Sequence, residues 1–462
     1  MLFSRIEFFY FALVVALWVV LTRTNASRKA GLLVASYYFY AYWDWRFAGL
    51  LLACSWVNFF AAARIAAPGA GERARRGWLA AACVLSLGTL VAFKYANFFI
   101  DAVAPALQAF GLHPGTLAIL LPAGISFFTF QALSYTIDVY RRHLEPVRAF
   151  SDFALFVVFF PQLIAGPIVR AADFLPQLMR LPELSWGRLY AGFRLFTFGL
   201  FKKVFVADRI APYVEQVFAD PGLYDGPTLW LAAIAYAIQI YCDFSGYSDM
   251  AIGLAGAMGY DFPRNFNLPY LARSLPDFWR RWHISLSSWL RDYLYIPLGG
   301  NRGGTLRVCR NLLLTMVLGG LWHGAAWTFV FWGFWHGAAL CLSRLGSPRS
   351  RERGSGVSGW VTTQLVVLIG WVVFRSPTLD HAALFVQGMA GAGAGEIRHL
   401  QPFVLLVCAG IAAHHAFLLV RREREIAWPA GNLASAVLLS LMWLLVIVFY
   451  PVGFEPFIYF QF

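Results

Sequence analysis

Residues 276–304 read PDFWRRWHISLSSWLRDYLYIPLGGNRGG, and residues 319–337 read GGLWHGAAWTFVFWGFWHG. Titratable side chains are scarce in this chain, of which 60% is hydrophobic and 13% is charged. The two stretches nevertheless hold several of them close together, namely Arg280, Arg281, His283, Arg291, Asp292, His323 and His336. Because such groups are costly in apolar surroundings unless they are used or paired, we expect the functional site in this part of the chain.

The first stretch has the pattern of an amphipathic helix over residues 278–293. At about 100° per residue, one arc holds apolar side chains, namely Phe278, Trp279, Trp282, Leu286, Trp289, Leu290 and Tyr293. The other arc holds polar side chains, namely Arg280, Ser287, Ser288, Arg291 and Asp292. His283 lies on the seam between these faces, beside Arg280 and Ser287. An aromatic face of this kind is typical of a helix that lies in the plane of the membrane interface.

The second stretch belongs to an almost uncharged run over residues 312–342, which predicts that His323 and His336 lie at membrane depth. Thirteen residues separate the two histidines. On one helix they would be about 20 Å apart along the axis and roughly 220° apart around it. They therefore cannot share a site if that helix is continuous. His336 is either a residue of the functional site or, in the competing interpretation, a histidine packed in the core.

The composition of the whole chain indicates a polytopic membrane protein. The 462 residues are 18% aromatic, and the mean hydropathy is +0.61. Successive apolar runs predict an all-α membrane fold with about ten to twelve spans, together with re-entrant and in-plane helices. We expect one membrane domain over residues 1–462, with its core motifs in residues 159–337. The net charge of +13 lies mostly in short links between runs, which argues against nucleic-acid binding.

The basic links predict the orientation. Clusters of arginine and lysine mark cytoplasmic links, and five such clusters lie near residues 23–29, 64–76, 141–148, 344–353 and 421–424. This pattern puts both termini outside, in the periplasm, if the membrane is a bacterial inner membrane. The first run, Ile6–Leu21, has no cleavage pattern after it and is expected to stay as a span. Three short runs are expected to be half-helices or re-entrant segments, near residues 30–43, 151–169 and 246–260.

Polar and helix-breaking residues mark three further stretches. Residues 159–178 hold three prolines and Gly166, which predicts an interrupted backbone that lines a cavity or packs in protein. Asp243 and Asp249 lie at the end of an apolar segment, and a polar connector over residues 261–274 leads to the first quoted stretch. Asp243 is expected to contact the substrate. The competing interpretation is structural, in which Asp243, Asp249 and Arg264 cap helices or pair with each other. The six cysteines are scattered singly, so we expect neither disulfides nor a zinc site.

Four motifs together resemble the membrane-bound O-acyltransferase superfamily. They are FFPQLIAGPIVR from residue 159, DFSGYSDMAIGLAGAMGYDFPRNFN from residue 243, FWRRWHISLSSWLRDYLYIPLGGNRGG from residue 278 and LWHGAAWTFVFWGFWHG from residue 321. The chain is most similar to the bacterial branch that contains the membrane subunits of alginate and peptidoglycan O-acetyltransferases and the D-alanine transferase of teichoic acid. The WVVFRS segment and the closing PFIYFQF are most similar to the alginate type.

The resemblance implies which residues act. The near-invariant histidine of the superfamily matches His323, and its second polar position matches His283. The implied reaction is acyl transfer to a hydroxyl group, with His323 as the base. His283, or a backbone group near it, is expected to support the carbonyl oxygen as charge develops. A covalent acyl-histidine intermediate stays open as an alternative.

The resemblance also implies acetyl-CoA or a similar thioester as the acyl donor, with no bound cofactor. Arg280 and Arg281 are expected to hold the anionic end of this donor at the cytoplasmic mouth of the site. Trp279, Asp243 and Trp322 are expected to be further substrate contacts.

The superfamily fold surrounds a tunnel, which implies that an acyl group reaches an outside acceptor while the donor stays in the cytoplasm. The implied partners are a separate periplasmic protein with a serine-hydrolase-like fold, a polysaccharide acceptor and membrane lipids. Alginate, cellulose, another exopolysaccharide and peptidoglycan all stay open as the final acceptor. The competing functions are a lipid acyltransferase of the same superfamily, a histidine metal site and a transporter, which would predict an inverted repeat that the sequence does not display.

Overall fold

The computed structural model describes residues 1–345, 356–393, 395–420 and 432–450. Within these ranges the chain is helical, and its β-structure is limited to an isolated bridge between Tyr224 and Ile397. The fold is therefore all-α, as predicted. The basic link at 421–424, most of the link at 344–353 and the closing PFIYFQF lie outside the described residues.

The α-helices of the described residues are, in chain order, α1 (Ile6–Leu21), α2 (Asn25–Ala41), α3 (Arg46–Ile65), α4 (Glu72–Leu90), α5 (Ala96–Gln108), α6 (Ile125–Tyr140), α7 (Phe150–Val158), α8 (Phe160–Leu163), α9 (Ala171–Leu178), α10 (Trp186–Phe201), α11 (Asp208–Ala219), α12 (Gly226–Ala257), α13 (Leu275–Arg281), α14 (Ile284–Leu290), α15 (Thr305–His323), α16 (Trp327–Leu345), α17 (Val357–Arg375), α18 (Leu379–Met389), α19 (Pro402–Val420) and α20 (Leu433–Val448). Short π-helical segments extend α4, α10 and α14, at Val91–Tyr95, Lys202–Ala207 and Arg291–Tyr295.

Several of these helices have the length and composition of membrane spans. Five described segments are long and apolar enough to cross a bilayer, namely Arg46–Ile65, Glu72–Gln108, Gly226–Ala257, Val357–Arg375 and Pro402–Leu419. The helices α1 and α20 are also apolar but shorter. The chain is therefore a multi-pass membrane protein. The predicted total of about ten to twelve spans stays a prediction.

Internal contacts divide the chain into two compact units. Unit 1 comprises Met1–Phe196 and Ser248–Pro263, and unit 2 comprises Thr197–Tyr247 and Arg264–Phe462. The expectation of a single domain over residues 1–462 stays a prediction. Every residue predicted to act in the site belongs to unit 2.

In unit 1, the proline-rich stretch interrupts the helical backbone as predicted. The run near residues 151–169 consists of α7 and the short helix α8, and residues 164–170 are not helical. The carbonyl oxygen of Phe156 accepts hydrogen bonds from the side-chain amides of Gln131, at 2.7 Å, and Gln162, at 2.6 Å. These side chains satisfy a carbonyl group at the end of the interrupted helix, where water is excluded.

Two of the predicted half-helices are complete helices instead. The run near residues 30–43 forms α2, which has 17 residues, and the run near residues 246–260 is the continuation of α12, which has 32 residues. Asp243 does not end α12 because its carboxylate pairs with Lys203 at 2.7 Å. Gly246 lies against the backbone of α10, so that a Cβ atom there would be 2.6 Å from a carbonyl oxygen. The aspartate and the glycine thus serve contacts between helices rather than helix termination.

In unit 2, the prediction of one amphipathic helix over residues 278–293 is wrong. The helix α13 ends at Arg281, Trp282 has an extended backbone, and His283 has φ 44° and ψ 55° in the left-handed region. The next helix, α14, begins at Ile284, whose N–H donates to the carbonyl oxygen of Asn265 at 2.9 Å. This hydrogen bond replaces the one that a continuous helix would make, so the helix stops although its side-chain pattern continues.

The helices α15 and α16 are antiparallel neighbours that meet through glycine residues. Gly333 on α16 lies against the carbonyl oxygen of Met316 and the Cα atom of Val317 on α15. Gly337, four residues later, lies against α15 in the same way, with 3.2 Å between the position of a Cβ atom and the Cα atom of Leu313. Small residues at this spacing allow two membrane helices to approach closely. The predicted run over residues 312–342 is therefore two helices with a reversal between them.

We expect the variant Gly333→Ala to lower the free energy of unfolding by about 1–3 kcal/mol. Its new methyl group would lie 2.7 Å from the Cα atom of Val317, so the two helices would have to separate. Thermal unfolding of the purified protein in detergent measures the effect. Gly88→Ala on α4 is the matched control, because a Cβ atom there meets nothing within 4 Å. Equal melting temperatures for the two variants would contradict the close contact.

Candidate active site

His283 occupies a strained backbone position that its neighbours hold in place. Its positive φ is uncommon for a residue other than glycine, and such strain is found preferentially at functional sites. The side-chain oxygen of Asn265 accepts hydrogen bonds from the backbone N–H and the hydroxyl group of Ser285, at 3.2 and 2.9 Å. The imidazole is 1% exposed and its ring centre lies 4.6 Å from that of Phe244. The connector over residues 261–274 thus fixes the histidine inside unit 2.

His323 is the last residue of α15 and is enclosed by aromatic rings. The chain reverses immediately after it, where Gly324 lies against the ring of Phe329 and would have no space for a Cβ atom. The ring centre of His323 lies 5.0 Å from Trp322, 5.2 Å from Trp332 and 5.4 Å from Phe374. The residue is 6% exposed. Three helices, α15, α16 and α17, therefore contribute to the surroundings of this imidazole.

The two histidines form a buried pair. Their ring centres are 6.5 Å apart, with an interplanar angle of 63°. This separation places both imidazoles within reach of one small bound group. A neutral imidazole can accept a proton at one nitrogen and donate a hydrogen bond from the other. The pair therefore offers both a base and a hydrogen-bond donor in surroundings from which water is excluded.

The predicted tryptophan contacts lie at different distances from this pair. Trp322 lies beside both imidazoles, with its ring centre 5.9 Å from His283 and 5.0 Å from His323. Trp279 lies 5.7 Å from Trp332, which in turn contacts His323. Trp322 thus borders the histidine pair directly, whereas Trp279 is one ring further away.

Asp243 belongs to a buried ion cluster beside the histidines. The ammonium group of Lys203 lies 2.7 Å from the carboxylate of Asp243 and 2.7 Å from that of Asp208. All three side chains are almost completely buried. The residue after Asp243 is Phe244, whose ring packs on His283. The structure therefore places the predicted substrate contact Asp243 in an ion pair, one residue from the wall of the site.

A cavity of about 990 Å³ lies in unit 2 among α13, α15, α16 and α17. Its described lining residues include three arginines, Arg273, Arg280 and Arg344, and no acidic residue. Of the two arginines predicted to hold the donor, Arg280 lines this cavity. Arg281 is instead bound to Asp277 at 3.0 Å. The cavity thus combines apolar walls with cationic side chains, a combination suited to an anionic ligand that also has an apolar part.

Comparisons with known proteins identify the family. Residues 141–375, which contain the histidine pair, match the sequence model of the MBOAT family, the membrane-bound O-acyltransferases. The chain is 42% identical to the probable alginate O-acetylase AlgI of Azotobacter vinelandii, over 89% of this chain and 84% of that protein. The chain belongs to the membrane-bound O-acyltransferase family. It is therefore an O-acyltransferase.

Two further relatives of this acyltransferase show how far the similarity extends. The probable alginate O-acetylase AlgI of Pseudomonas aeruginosa is 45% identical, over 87% of this chain and 77% of that protein. The peptidoglycan O-acetyltransferase of Helicobacter pylori is 38% identical, over 80% of this chain and 75% of that protein. The similarity thus covers most of the chain on both sides of the histidine pair.

Three residues around the candidate site of the acyltransferase, Lys203, Trp332 and Phe374, were not predicted from the sequence. The sequence does contain an indication of the role of Lys203, because two consecutive lysines in the apolar run near residues 189–213 require a partner of opposite charge. It contains none for Trp332 and Phe374, because their contact with His323 depends on how three helices pack. His336, for which a packed core histidine was one interpretation, is buried, and its ring centre lies 5.0 Å from that of Trp332. Among the described residues, no group of three or more His, Cys, Asp or Glu side chains is arranged to hold a metal ion.

We expect Lys203→Met to lower the free energy of unfolding by about 3–5 kcal/mol. The substitution removes the ammonium group that neutralises the buried carboxylates of Asp208 and Asp243. Lys203→Arg, which keeps the positive charge, should lower the free energy of unfolding by clearly less. Thermal unfolding in detergent, together with the amount of folded protein in the membrane, measures both variants. If Lys203→Met is as stable as the unmodified protein, the cluster does not support the fold.

Proposed function

We propose that this acyltransferase moves an acetyl group from acetyl-CoA, or a similar thioester, to an acceptor hydroxyl for the O-acetylation of an exported polysaccharide such as alginate. The observation that carries the proposal is the buried pair of His283 and His323, whose ring centres are 6.5 Å apart. The names of the relatives support the choice of acetyl group and polymer, since the two AlgI proteins are described as probable alginate O-acetylases.

The chemistry follows from the two imidazoles. His323 takes the proton of the acceptor hydroxyl while the hydroxyl oxygen attacks the thioester carbonyl carbon. The carbonyl oxygen gains negative charge in the tetrahedral intermediate, and the N–H of His283, or a backbone N–H near it, donates a hydrogen bond to that oxygen. The C–S bond then breaks, and the thiolate takes the proton from His323. The products are an acetyl ester and a free thiol.

The cavity lined by Arg280 supports an anionic thioester as the donor. CoA carries phosphate groups on its nucleotide and an uncharged arm that ends in the thiol. Arginine is well suited to bind phosphate, because its guanidinium group donates several hydrogen bonds in a fixed plane. Besides Arg273, Arg280 and Arg344, the cavity is lined by apolar and by neutral polar side chains. In this proposal the phosphates lie at the arginines and the arm extends toward His323.

The side of the membrane on which each substrate binds is part of the proposal. The basic links near residues 64–76 and 141–148 support a cytoplasmic position for the ends of α3 and α6. With these links in the cytoplasm of a bacterial inner membrane, both termini lie in the periplasm. The acceptor that meets the histidine pair is then a hydroxyl of a separate periplasmic protein with a serine-hydrolase-like fold, which passes the acetyl group to the polymer.

Peptidoglycan is the alternative acceptor with support of its own. The Helicobacter pylori relative, 38% identical, is described as a peptidoglycan O-acetyltransferase. The contacts of His283 and His323 do not discriminate between polymers, because they concern the acetyl carbonyl and one hydroxyl group. Cellulose or a lipid would use the same pair. The acceptor therefore has to be identified by measurement.

We expect His323→Ala to reduce ester-linked acetyl groups on one exported polymer by about 10²- to 10⁴-fold, because the general base is lost. The measurement is the acetyl content of exported polysaccharides, cell-wall peptidoglycan and lipids, in strains that produce equal amounts of each protein in the membrane. His414→Ala is the matched control, since His414 is an exposed histidine on α19. The polymer that loses acetyl groups is the final acceptor.

Unchanged acetylation of every fraction in the His323→Ala strain would contradict the proposed role of His323. A loss of acetyl groups from a lipid fraction alone would replace the polysaccharide with a lipid acceptor. Loss in the His414→Ala strain as well would indicate damage to the membrane domain rather than to the site.

We expect Arg280→Ala to raise the KM for acetyl-CoA about tenfold, because a charged hydrogen bond to phosphate contributes roughly 1.5–3 kcal/mol. The value of kcat should change little, since Arg280 lies away from the reacting carbonyl. Acetyl transfer by purified protein to a soluble alcohol, at varied acetyl-CoA concentration, measures both constants. Arg307→Ala is the control, because Arg307 is exposed on α15 and does not line the cavity. An equal KM for both variants would exclude Arg280 from donor binding.

A further inference from the structure

His336 is a buried histidine that the acyl-transfer step does not use. It lies on α16 with 1% of its surface exposed, and neither ring nitrogen has a hydrogen-bond partner among the described residues. The indole N–H groups of Trp279 and Trp332 likewise have no acceptor in that part of the chain. Their rings lie 5.1 and 5.0 Å from the imidazole. Since buried polar groups are nearly always hydrogen-bonded, three such side chains at one point indicate a ligand.

The position of His336 on α16 lies between the cavity and the base. Trp332, His336, Leu340 and Ser343 follow one face of this helix, at spacings of four, four and three residues. Leu340 and Ser343 line the cavity. The ring centre of Trp332, at the other end of this row, is 5.2 Å from that of His323. The row from Leu340 to Trp332 is about 12 Å long at 1.5 Å per residue, with His336 in its middle.

The facing helix, α17, repeats this arrangement. Thr363, Val366, Gly370 and Phe374 follow one of its faces, at spacings of three, four and four residues. Thr363 and Val366 line the cavity, and the ring centre of Phe374 is 5.4 Å from that of His323. The two rows therefore both lead from the cavity wall to the base.

Gly370 is the residue of α17 that faces His336. A Cβ atom at this position would lie 2.6 Å from Nε2 of the imidazole. Because Gly370 has no side chain, the Nε2 edge of His336 packs close to the backbone of α17, and any side chain at this position would push the imidazole away. The same replacement at Gly410 on α19 would meet nothing within 4 Å.

From these contacts we infer that His336, together with the indole N–H groups of Trp279 and Trp332, binds the amide groups of the pantetheine arm of the donor between the cavity and His323. The inference rests on the proposed function, which supplies a CoA thioester. An imidazole presents one donor and one acceptor, and each indole presents a donor. This set matches an amide, whose N–H donates and whose carbonyl oxygen accepts. His336 is a binding residue for the arm and does not contact the reacting carbonyl group.

The test compares two ligands of the full-length protein in detergent. One is CoA, and the other is 3′-phosphoadenosine 5′-diphosphate, which is CoA without the arm. We expect His336→Phe to raise the Kd of CoA about 10- to 50-fold through the lost hydrogen bonds, with the Kd of the nucleotide unchanged. His336→Gln, which keeps a donor and an acceptor, should recover most of the affinity. Gly370→Ala should raise the Kd of CoA alone, whereas Arg280→Ala should raise the Kd of both ligands.

The control variants are Gly410→Ala and His414→Phe, which should bind both ligands as the unmodified protein does. Steady-state kinetics give a second measurement, in which His336→Phe raises the KM for acetyl-CoA more than it lowers kcat, and His336→Gln has a KM close to that of the unmodified protein. A thermal unfolding curve for each variant establishes that the protein used is folded.

Three results would overturn the inference, and they differ in what they say about the proposed function. If the His336 and Gly370 variants bind CoA as tightly as the unmodified protein, the arm does not contact His336, and the proposed function stands. If His336→Phe weakens both ligands equally in a folded protein, the role of His336 is structural. If the unmodified protein binds neither ligand, the proposed donor is wrong, and the inference fails with it.

Discussion

The site depends on the contact of α15 with α16 through glycine backbone. Gly333 and Gly337 have no side chains, so the two helices approach until backbone atoms touch. The chain can then reverse within three residues after His323, and the imidazole meets Trp332 on the returning helix. With a side chain at either glycine, α16 would lie further from α15, and the aromatic enclosure of His323 would open. Close packing of the two helices is therefore a condition for this aromatic enclosure of His323.

The second histidine reaches the site through an interrupted helix. Asn265 draws the backbone N–H groups of Ile284 and Ser285 away from helical hydrogen bonding, and His283 takes the left-handed conformation that results. Strain of this kind persists only where the surroundings determine it, as they do here through several hydrogen bonds from one connector. Two interruptions of the backbone, one beside each histidine, thus allow the ring centres to come within 6.5 Å.

The polar groups buried in this apolar chain fall into two kinds. In the first kind, each group has a partner within the protein, as with the carbonyl oxygen of Phe156 and its two glutamine side chains, or Lys203 and its two aspartates. Such groups support the fold. In the second kind, polar atoms are buried without a hydrogen-bond partner in the described residues, and those of His336, Trp279 and Trp332 are such atoms that lie close together. Because an unsatisfied buried group costs free energy, this second kind marks the place where a ligand is expected to complete the structure.

The sequence by itself determined the membrane class, the helical fold and the family, and it singled out His283 and His323 as candidates for the site. These follow from composition and from short motifs, which are local properties of the chain. Only the tertiary structure decided where helices end. The side-chain pattern over residues 278–293 predicts one helix, yet a hydrogen bond to the backbone of Asn265 divides it into two. The sequence around Asp243 suggests the end of a helix, yet Asp243 pairs with Lys203 and lies within α12. Helical periodicity shows only which face of a helix is apolar. Asn265 and Lys203 lie about 20 to 40 residues from Ile284 and Asp243 in the chain, so only folding brings these partners together.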